Sequence, residues 1–370
     1  MDLSEFPSRC DDDSDQNDMM YAMHLATASV LPMVLRSTVE LGVLDILEKL
    51  VPGGMISPSQ VASELGATNP DAPSMIDHML CLLASHSIVT CSVEMDSDGQ
   101  GSHRFYGLAP VARFFTKNRS KGSLDLLLLL VQDRAFLDMW FHLKDAILEG
   151  GNPFERAHGM TTVSYVGNNS AFAGLYRDSM TEFNKLFMEE ILLTYKGFEG
   201  VDTLVDVGGG EGSILGMIRS KYPSIKGINY DLASVIEKLP ERDGVQNIAG
   251  DMFTSIPKGD AIFIKWVLHS WSDEQCVQIL KNTYEALPEG GKVIIVDLVI
   301  PESPEVDVGV QNLFQLYLHI KSMNSTGKER TKKEFEVLSK QAGFSQVQVA
   351  AHAFNFSVVE LYKNYEPRSS

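Results

Sequence analysis

The apolar positions of this chain change rhythm three times. From Met19, the stretch MMYAMHLATASVLPMVLRSTVELGVLDILEKL is apolar on most faces, broken only by Pro32 and Gly42. Helices that are apolar nearly all round are buried, in a core or in a subunit interface, so the stretch predicts either a deep core or helices interleaved in a homodimer. Ser57 to Gly107 reads differently. SPSQVASELG predicts a short capped helix, DAPSMIDHMLCLLASHS a longer one, and SIVTCSVE with HRFYGL a hairpin around DSDGQG. Two helices followed by a β-wing make a winged helix. Leu124 to Tyr195 returns to helical spacing, with Phe136, Trp140, Phe154, Phe172, Met180 and Phe187 among its large apolar groups.

From Val201 strand and helix patterns alternate, as in α/β folds. Predicted strands are Thr203–Val207, Lys226–Tyr230, Val245–Ala249, Ala261–Lys265 and Lys292–Asp297. Two more, Ser345–Ala351 and Phe356–Tyr362, are expected to pair with each other at the sheet's edge. Ser272 with Gln275 and Thr331 with Glu334 form capping boxes at two helix starts, and Gly343 follows the end of the second.

Composition narrows the class. A chain of 370 residues, 44% hydrophobic and 22% charged, is that of a globular protein of two domains, or of one large domain carrying an extension. Its 31 Lys and Arg against 49 Asp and Glu leave a net charge of −18, which speaks against binding a polyanion. The would-be reading helix of the winged helix agrees: across Ser57 to Gly107 the single Lys or Arg is Arg104, and a phosphate backbone needs cationic partners. Nucleic acid is therefore not expected as a partner. Residues 1–18, with Asp11, Asp12, Asp13, Asp15 and Asp18, predict a disordered acidic tail. The longest apolar run, Leu126 to Val131, is far short of a membrane span, and MDLSEF lacks the features of a signal peptide. Scattered Cys10, Cys81, Cys91 and Cys276 suggest free thiols and a cytoplasmic setting.

The chemistry gathers around Leu204 to Gly212, LVDVGGGEG. A strand, a glycine turn and then a helix with Ile214, Leu215, Met217 and Ile218 open a nucleotide-binding half of a doubly wound sheet. Gly208, Gly210 and Gly212 fit GxGxG, whereas the sixth position of a dinucleotide fingerprint is Ser213. That counts against a nicotinamide dehydrogenase. Asp231 ends the second strand, where an acid can accept both ribose hydroxyls. The third strand runs into Gly250-Asp251-Met252-Phe253, whose carboxylate, thioether and ring suit a purine. Each acid is also a credible loop or helix cap; together they favour an adenosine site.

LVDVGGGEG, GINYDL, GDMF, KWVLHSWSDE and GKERTKKEFE, with YGLAP and HLKDAILEGG upstream, resemble the plant small-molecule O-methyltransferases of the caffeic acid type over nearly the whole chain. The resemblance implies a doubly wound, seven-stranded methyltransferase sheet and an N-terminal winged-helix domain serving homodimerisation. It implies S-adenosylmethionine as donor, S-adenosylhomocysteine as product, and no metal. On it, residues 19–120 form the dimerisation domain and 121–370 the methyltransferase domain. Gly208, Asp231, Asp251, Met252 and Lys265 become donor-binding positions.

His269, in KWVLHSWSD after the fourth strand, is either a satisfied structural group or a base. An ordinary imidazole, with a pKa of about 6.5, is mostly neutral at pH 7 and can accept a proton. A phenol at about 10 then gives up its proton most easily as methyl attack proceeds. The resemblance makes His269 the base and sets Asp297 and Glu329 beside it. Asp297 stands where Glu is more familiar, one methylene shorter. Two further departures, Ser270 after the histidine and Val131 before Gln132-Asp133, remove polar groups from the acceptor side and predict a less polar pocket. Glu211 adds a negative charge to the glycine turn. Phe136, Phe172, Met180 and Trp266 are candidate pocket walls, as are Ile320, Met323 and Asn324, with ordinary core as the alternative for each. The expected reaction is methyl transfer to a phenolic hydroxyl of a phenylpropanoid, lignan, flavonoid or phenolic alkaloid. N-methyl transfer on the same fold and a non-catalytic DNA-binding regulator are the alternatives.

Overall fold

A computed structural model describes residues 13–98, 101–118, 120–237, 239–324 and 326–364. The chain forms two units divided between Gln132 and Asp133, later than the 120/121 boundary expected from sequence. The later division has a packing cause. Leu128 and Leu129, on the helix Asp125–Val131, pack on the first unit's core. Arg36 also donates to the carbonyls of Leu129 and Gln132, at 3.2 and 2.6 Å.

In the first unit, Ser57 and Gln60 close a capping box on the helix Pro58–Glu64, which packs with the helix Ala72–Ser85. β1 (Val89–Met95) and β2 (Ser102–Leu108) form the antiparallel wing. Leu44, Leu80, Leu83 and Tyr106 are buried in the common core. Arg104, the Lys or Arg of the wing, pairs with Asp77 at 2.6 Å. Most of the expected acidic tail lies outside the described residues. Its last part is corrected: Asp13–Thr27 is a helix, and Asp15 sits in its first turn, where a carboxylate meets the helix's partial positive charge. This helix exposes Met19, Met20, Tyr21, Met23 and Leu25, whereas later in the same apolar stretch Leu35, Val39, Val43, Leu44 and Leu47 are buried core, so the stretch divides between the two expectations. Among the described residues no single helix is long and apolar enough to cross a membrane; the pair Asp15–Thr27 and Val30–Leu41 passes by length and composition but is bent by 46°.

The second unit is built on one twisted sheet. β3 (Thr203–Val207), β4 (Lys226–Asp231), β5 (Val245–Ala249), β6 (Ala261–Lys265) and β7 (Lys292–Ile300) are parallel. With β9 (Gln346–Ala353) and β10 (Phe356–Tyr362) the order is β5-β4-β3-β6-β7-β10-β9. A two-residue strand, β8 (Arg330–Thr331), pairs off this path with the end of β7. Helices cover both faces. Leu204, Phe263 and Ile294 point to one buried cluster with Phe187 and Ile191, while Val205, Ile262 and Ile295 point to another with Leu280 and Phe335. Strands buried on both faces read as continuous apolar runs, which is why AIFIK was legible. The final hairpin pairs as expected, but only β9 lies at the edge. β10 runs antiparallel between β7 and β9, and all but the last of its residues are buried. Buried Glu360 in this strand is satisfied by Tyr195, Lys292, Gln348 and Tyr362.

Candidate active site

Strand order reverses between β3 and β6, since β4 continues on one side and β7 on the other. Ligands bind beyond the carboxyl ends of the strands at such a point. Here those ends carry the glycine turn and the Lys265-Trp266 pair. Gly208, Gly210 and Gly212 have φ of +71°, +55° and +71°, a region that costs glycine nothing. A Cβ on Gly208 would also sit 2.8 Å from Val267, so the turn lies directly against the loop that follows β6. β4 clamps the turn from the other side: Asp231 Oδ2 accepts from Gly210 N at 2.9 Å, and Asn229 Nδ2 donates to Gly210 O at 3.0 Å.

The turn, Asp206 and Lys265 form one wall of a cleft of about 260 Å³, and Tyr176, Met180 and Asn184 of the helix Ser170–Thr194 line the other. Lys265 Nζ donates to Asn184 Oδ1 at 2.6 Å, tying the helix to the sheet. Burial pulls the Lys265 ammonium down to about 8, against the opposing pull of Asp297 and Asp206. Burial also pushes Asp206 up to about 7 despite Lys265, and Asp206 Oδ2 is buried without a hydrogen-bond partner. Asp251 and Met252 lie apart from this cleft. Asp251 Oδ1 accepts from Phe253 N at 2.9 Å, Asn282 holds the Met252 carbonyl at 2.7 Å, and Asp251 borders a neighbouring hollow with Tyr230 and Gly250.

The histidine loop is built by main-chain geometry. Trp266 takes φ +54°, an outlier for a bulky residue, while its N still donates to Val296 O at 3.0 Å. That turn stacks the indole on the His269 ring, centroids 5.3 Å apart and planes at 21°. β8 delivers Glu329 to the other side: His269 Nδ1 lies 3.0 Å from Glu329 Oε1, and Glu329 is 2% exposed. A carboxylate only accepts, so Nδ1 carries a proton in this contact, and in a neutral ring Nε2 is then the acceptor. Arg330 fixes the loop itself. Fully buried, it donates to the carbonyls of Leu268 (2.9 Å) and Trp271 (2.8 Å) and to Asp273 (3.0 Å).

Asp297 does not complete the expected pair. Among the described residues both its carboxylate oxygens are buried without a hydrogen-bond partner, so Asp297 makes no hydrogen bond to the His269 ring. Burial and the neighbouring Glu329 carboxylate push Asp297 well above the usual range, with Arg330 and Lys265 pulling back.

The candidate pocket residues separate into groups. Phe136 and Phe172 are buried in one aromatic cluster, centroids 5.3 Å apart, with Phe154 and Tyr165. Trp266 and Ile320 belong to the sheet-side core, and Met180 to the cleft. Asn324 donates to the Ser270 carbonyl at 3.2 Å, and the Met323 carbonyl accepts from Thr162 at 3.0 Å. Val131 ends a helix of the first unit. Asn184, Asp206, Arg330 and His319 were missed by sequence reasoning. Arg330 could have been suspected from its place beside Glu329; the others carried no pattern.

Comparison with known proteins agrees with this architecture. Residues 140–345 match the O-methyltransferase domain and residues 23–118 the O-methyltransferase dimerisation domain. The chain is 49% identical to caffeic acid 3-O-methyltransferase of Rosa chinensis over 350 residues, covering 95% of this chain and 96% of that protein. Against the Medicago sativa enzyme of the same name the identity is 48%, with the same coverage. Human N-acetylserotonin methyltransferase, solved in complex with SAM, superposes with a TM-score of 0.75 at 20% identity, covering 97% of this chain and all of that one. CalO1, a methyltransferase of calicheamicin biosynthesis solved with SAH, gives 0.76 at 23%, covering 95% and 98%. The last two show the fold alone. The dimerisation-domain match supports a homodimer, and its first residues overlap the end of the exposed apolar helix Asp13–Thr27. With sheet, cleft and family match in agreement, the chain belongs to the plant S-adenosylmethionine-dependent O-methyltransferases of the caffeic acid 3-O-methyltransferase family.

Proposed function

We propose that the enzyme methylates a phenolic hydroxyl of a plant specialised metabolite, with His269 as general base. The observation that carries this is the Glu329–His269–Trp266 arrangement at the carboxyl end of β6. It supplies an oriented imidazole with a free acceptor nitrogen beside the cleft wall.

The cleft suits the donor. Lys265 would meet a carboxylate, the unpartnered Asp206 oxygen an ammonium, and Asp231 a ribose diol, with the glycine turn admitting close approach. Asp251 and Met252, beyond β5, would take the base. S-adenosylmethionine, when bound, supplies a methyl group already activated by its sulfonium. The chain's residues then do the rest. His269 Nε2 takes the acceptor's proton, the Glu329 carboxylate stabilises the resulting imidazolium, and the Trp266 stack keeps the ring from turning. Free thiols at Cys81, Cys91 and Cys276 support a cytoplasmic enzyme.

Methyl transfer from labelled donor across a panel of phenols, with matched aryl amines, tests the reading. Labelled phenol ethers are the expected product; transfer to amines alone would replace oxygen by nitrogen as the acceptor.

The glycine turn makes its own prediction. A Cβ on Gly209 would fall on Asn229 Oδ1 and lie 2.7 Å from Asp206 Oδ2. Asn229 cannot swing aside while its Nδ2 donates to Gly210 O and Asn247. Gly209→Ala should therefore weaken S-adenosylhomocysteine binding by about tenfold or more, given ~1–3 kcal/mol for overpacking. Unchanged affinity by calorimetric titration would show that the turn does not hold the donor.

A further inference from the structure

The sequence departures at Val131 and Ser270 predict a less polar acceptor pocket, yet the structure places an unassigned polar group in the aromatic cluster. His319 lies on the helix Val308–Met323. Its ring meets Phe136 edge-on at 4.8 Å and Trp140 at 6.0 Å. Phe136 in turn contacts Phe172, and Phe172 contacts Tyr176 of the cleft. Helical spacing puts His319 on one face with Leu316 and Met323. Leu316 and Ile320 pack against the same core as Trp266, the ring stacked on His269. Among the described residues the His319 ring makes no hydrogen bond, and no cation–π contact involves this cluster.

A half-buried imidazole set against two rings and bonded to no other described residue has its nitrogens open to a ligand. Burial pulls its pKa down to about 4, so at neutral pH it offers one N–H donor and one acceptor nitrogen, and no charge. A carboxylate would gain no ion pair from this neutral ring. A hydroxyl, which both donates and accepts, matches it.

We propose that His319 is a specificity-determining residue that hydrogen-bonds an uncharged oxygen on the acceptor's side chain, selecting neutral, hydroxyl-bearing phenols over phenolic acids. The inference rests on the phenol reading above, and its test is kept separate from turnover. Binding of one para-substituted phenol in three forms, alcohol-, alkyl- and carboxylate-tailed, is measured on enzyme saturated with S-adenosylhomocysteine. Wild type should bind the alcohol about three- to tenfold more tightly than the alkyl form, the range of one neutral hydrogen bond, and the carboxylate most weakly. His319→Leu should erase the alcohol's advantage, and His319→Gln should restore part of it. Equal preference in wild type and His319→Leu, or a carboxylate bound best, overturns the assignment. Loss of methyl transfer to every phenol while these binding preferences hold would instead sink the phenol reading and leave His319 as a binding determinant.

Discussion

Replacing His269 by alanine is expected to lower kcat by about 10²–10⁴-fold, the usual contribution of a positioned general base, while leaving donor binding intact. The geometry argues for both halves. His269 Nδ1 is committed to Glu329 at 3.0 Å, so its opposite nitrogen is the one available to an acceptor. The donor cleft is lined by the glycine turn, Asp206 and Lys265, not by the histidine. Glu329→Gln should fall between wild type and alanine: an amide can present its nitrogen to Nδ1 and invert the tautomer, and it stabilises an imidazolium poorly. Asp297→Asn should cost far less, because its carboxylate makes no hydrogen bond to the ring. Single-turnover rates with calorimetric donor affinities give the ranking directly. A His269→Ala enzyme that keeps its kcat would remove the base and leave positioning alone to drive the reaction.

The second large effect falls on a residue that touches no substrate. Arg330→Ala should destabilise the methyltransferase unit by about 3 kcal/mol, the lower end for removing one partner of a buried ionic cluster. For a unit of this size that is a drop in melting temperature of about 10 °C. The deleted guanidinium takes one donor from the Leu268 carbonyl and one from that of Trp271, and leaves Asp273 at the start of the next helix with Lys328 alone. Activity should fall with stability, because the released carbonyls flank His269. Arg330→Lys should recover little, since one ammonium cannot serve three acceptors set in a planar fork. A melting curve matching wild type would show the cluster to be decorative.

How much of this was legible in the sequence depended on where the information lay. Strands such as AIFIK and the helix starts at Ser272 and Thr331 announced themselves, because burial on both faces and capping chemistry are local properties. The glycine turn and Glu329 were likewise visible, as motif residues. Hidden were features that arise between segments. The helix at Asp13 opens on polar and acidic residues, DSDQND, so its start read as tail. β10's place inside the sheet is a pairing choice that its own residues do not state. Asp297 matched a pattern by charge, yet it makes no hydrogen bond to the His269 ring. Arg330 works through main-chain carbonyls, which no side-chain pattern reveals. Gly327 is needed where the GKERT loop presses on the His269 carbonyl, a closeness visible only in three dimensions.

The placement of β10 also dictates an order of assembly at the ribosome. β7 is synthesised before residues 301–355, yet its outer neighbour comes only after them. Until then the nascent chain carries a parallel sheet with a long apolar margin, the N–H and C=O groups of Val293 to Leu298 facing nothing. Such a margin is a template for pairing with any other extended chain. Translation that stalls before Phe356 would therefore yield not a slightly shortened enzyme but a sticky one. The polypeptide closes its own most dangerous seam with one of its last strands.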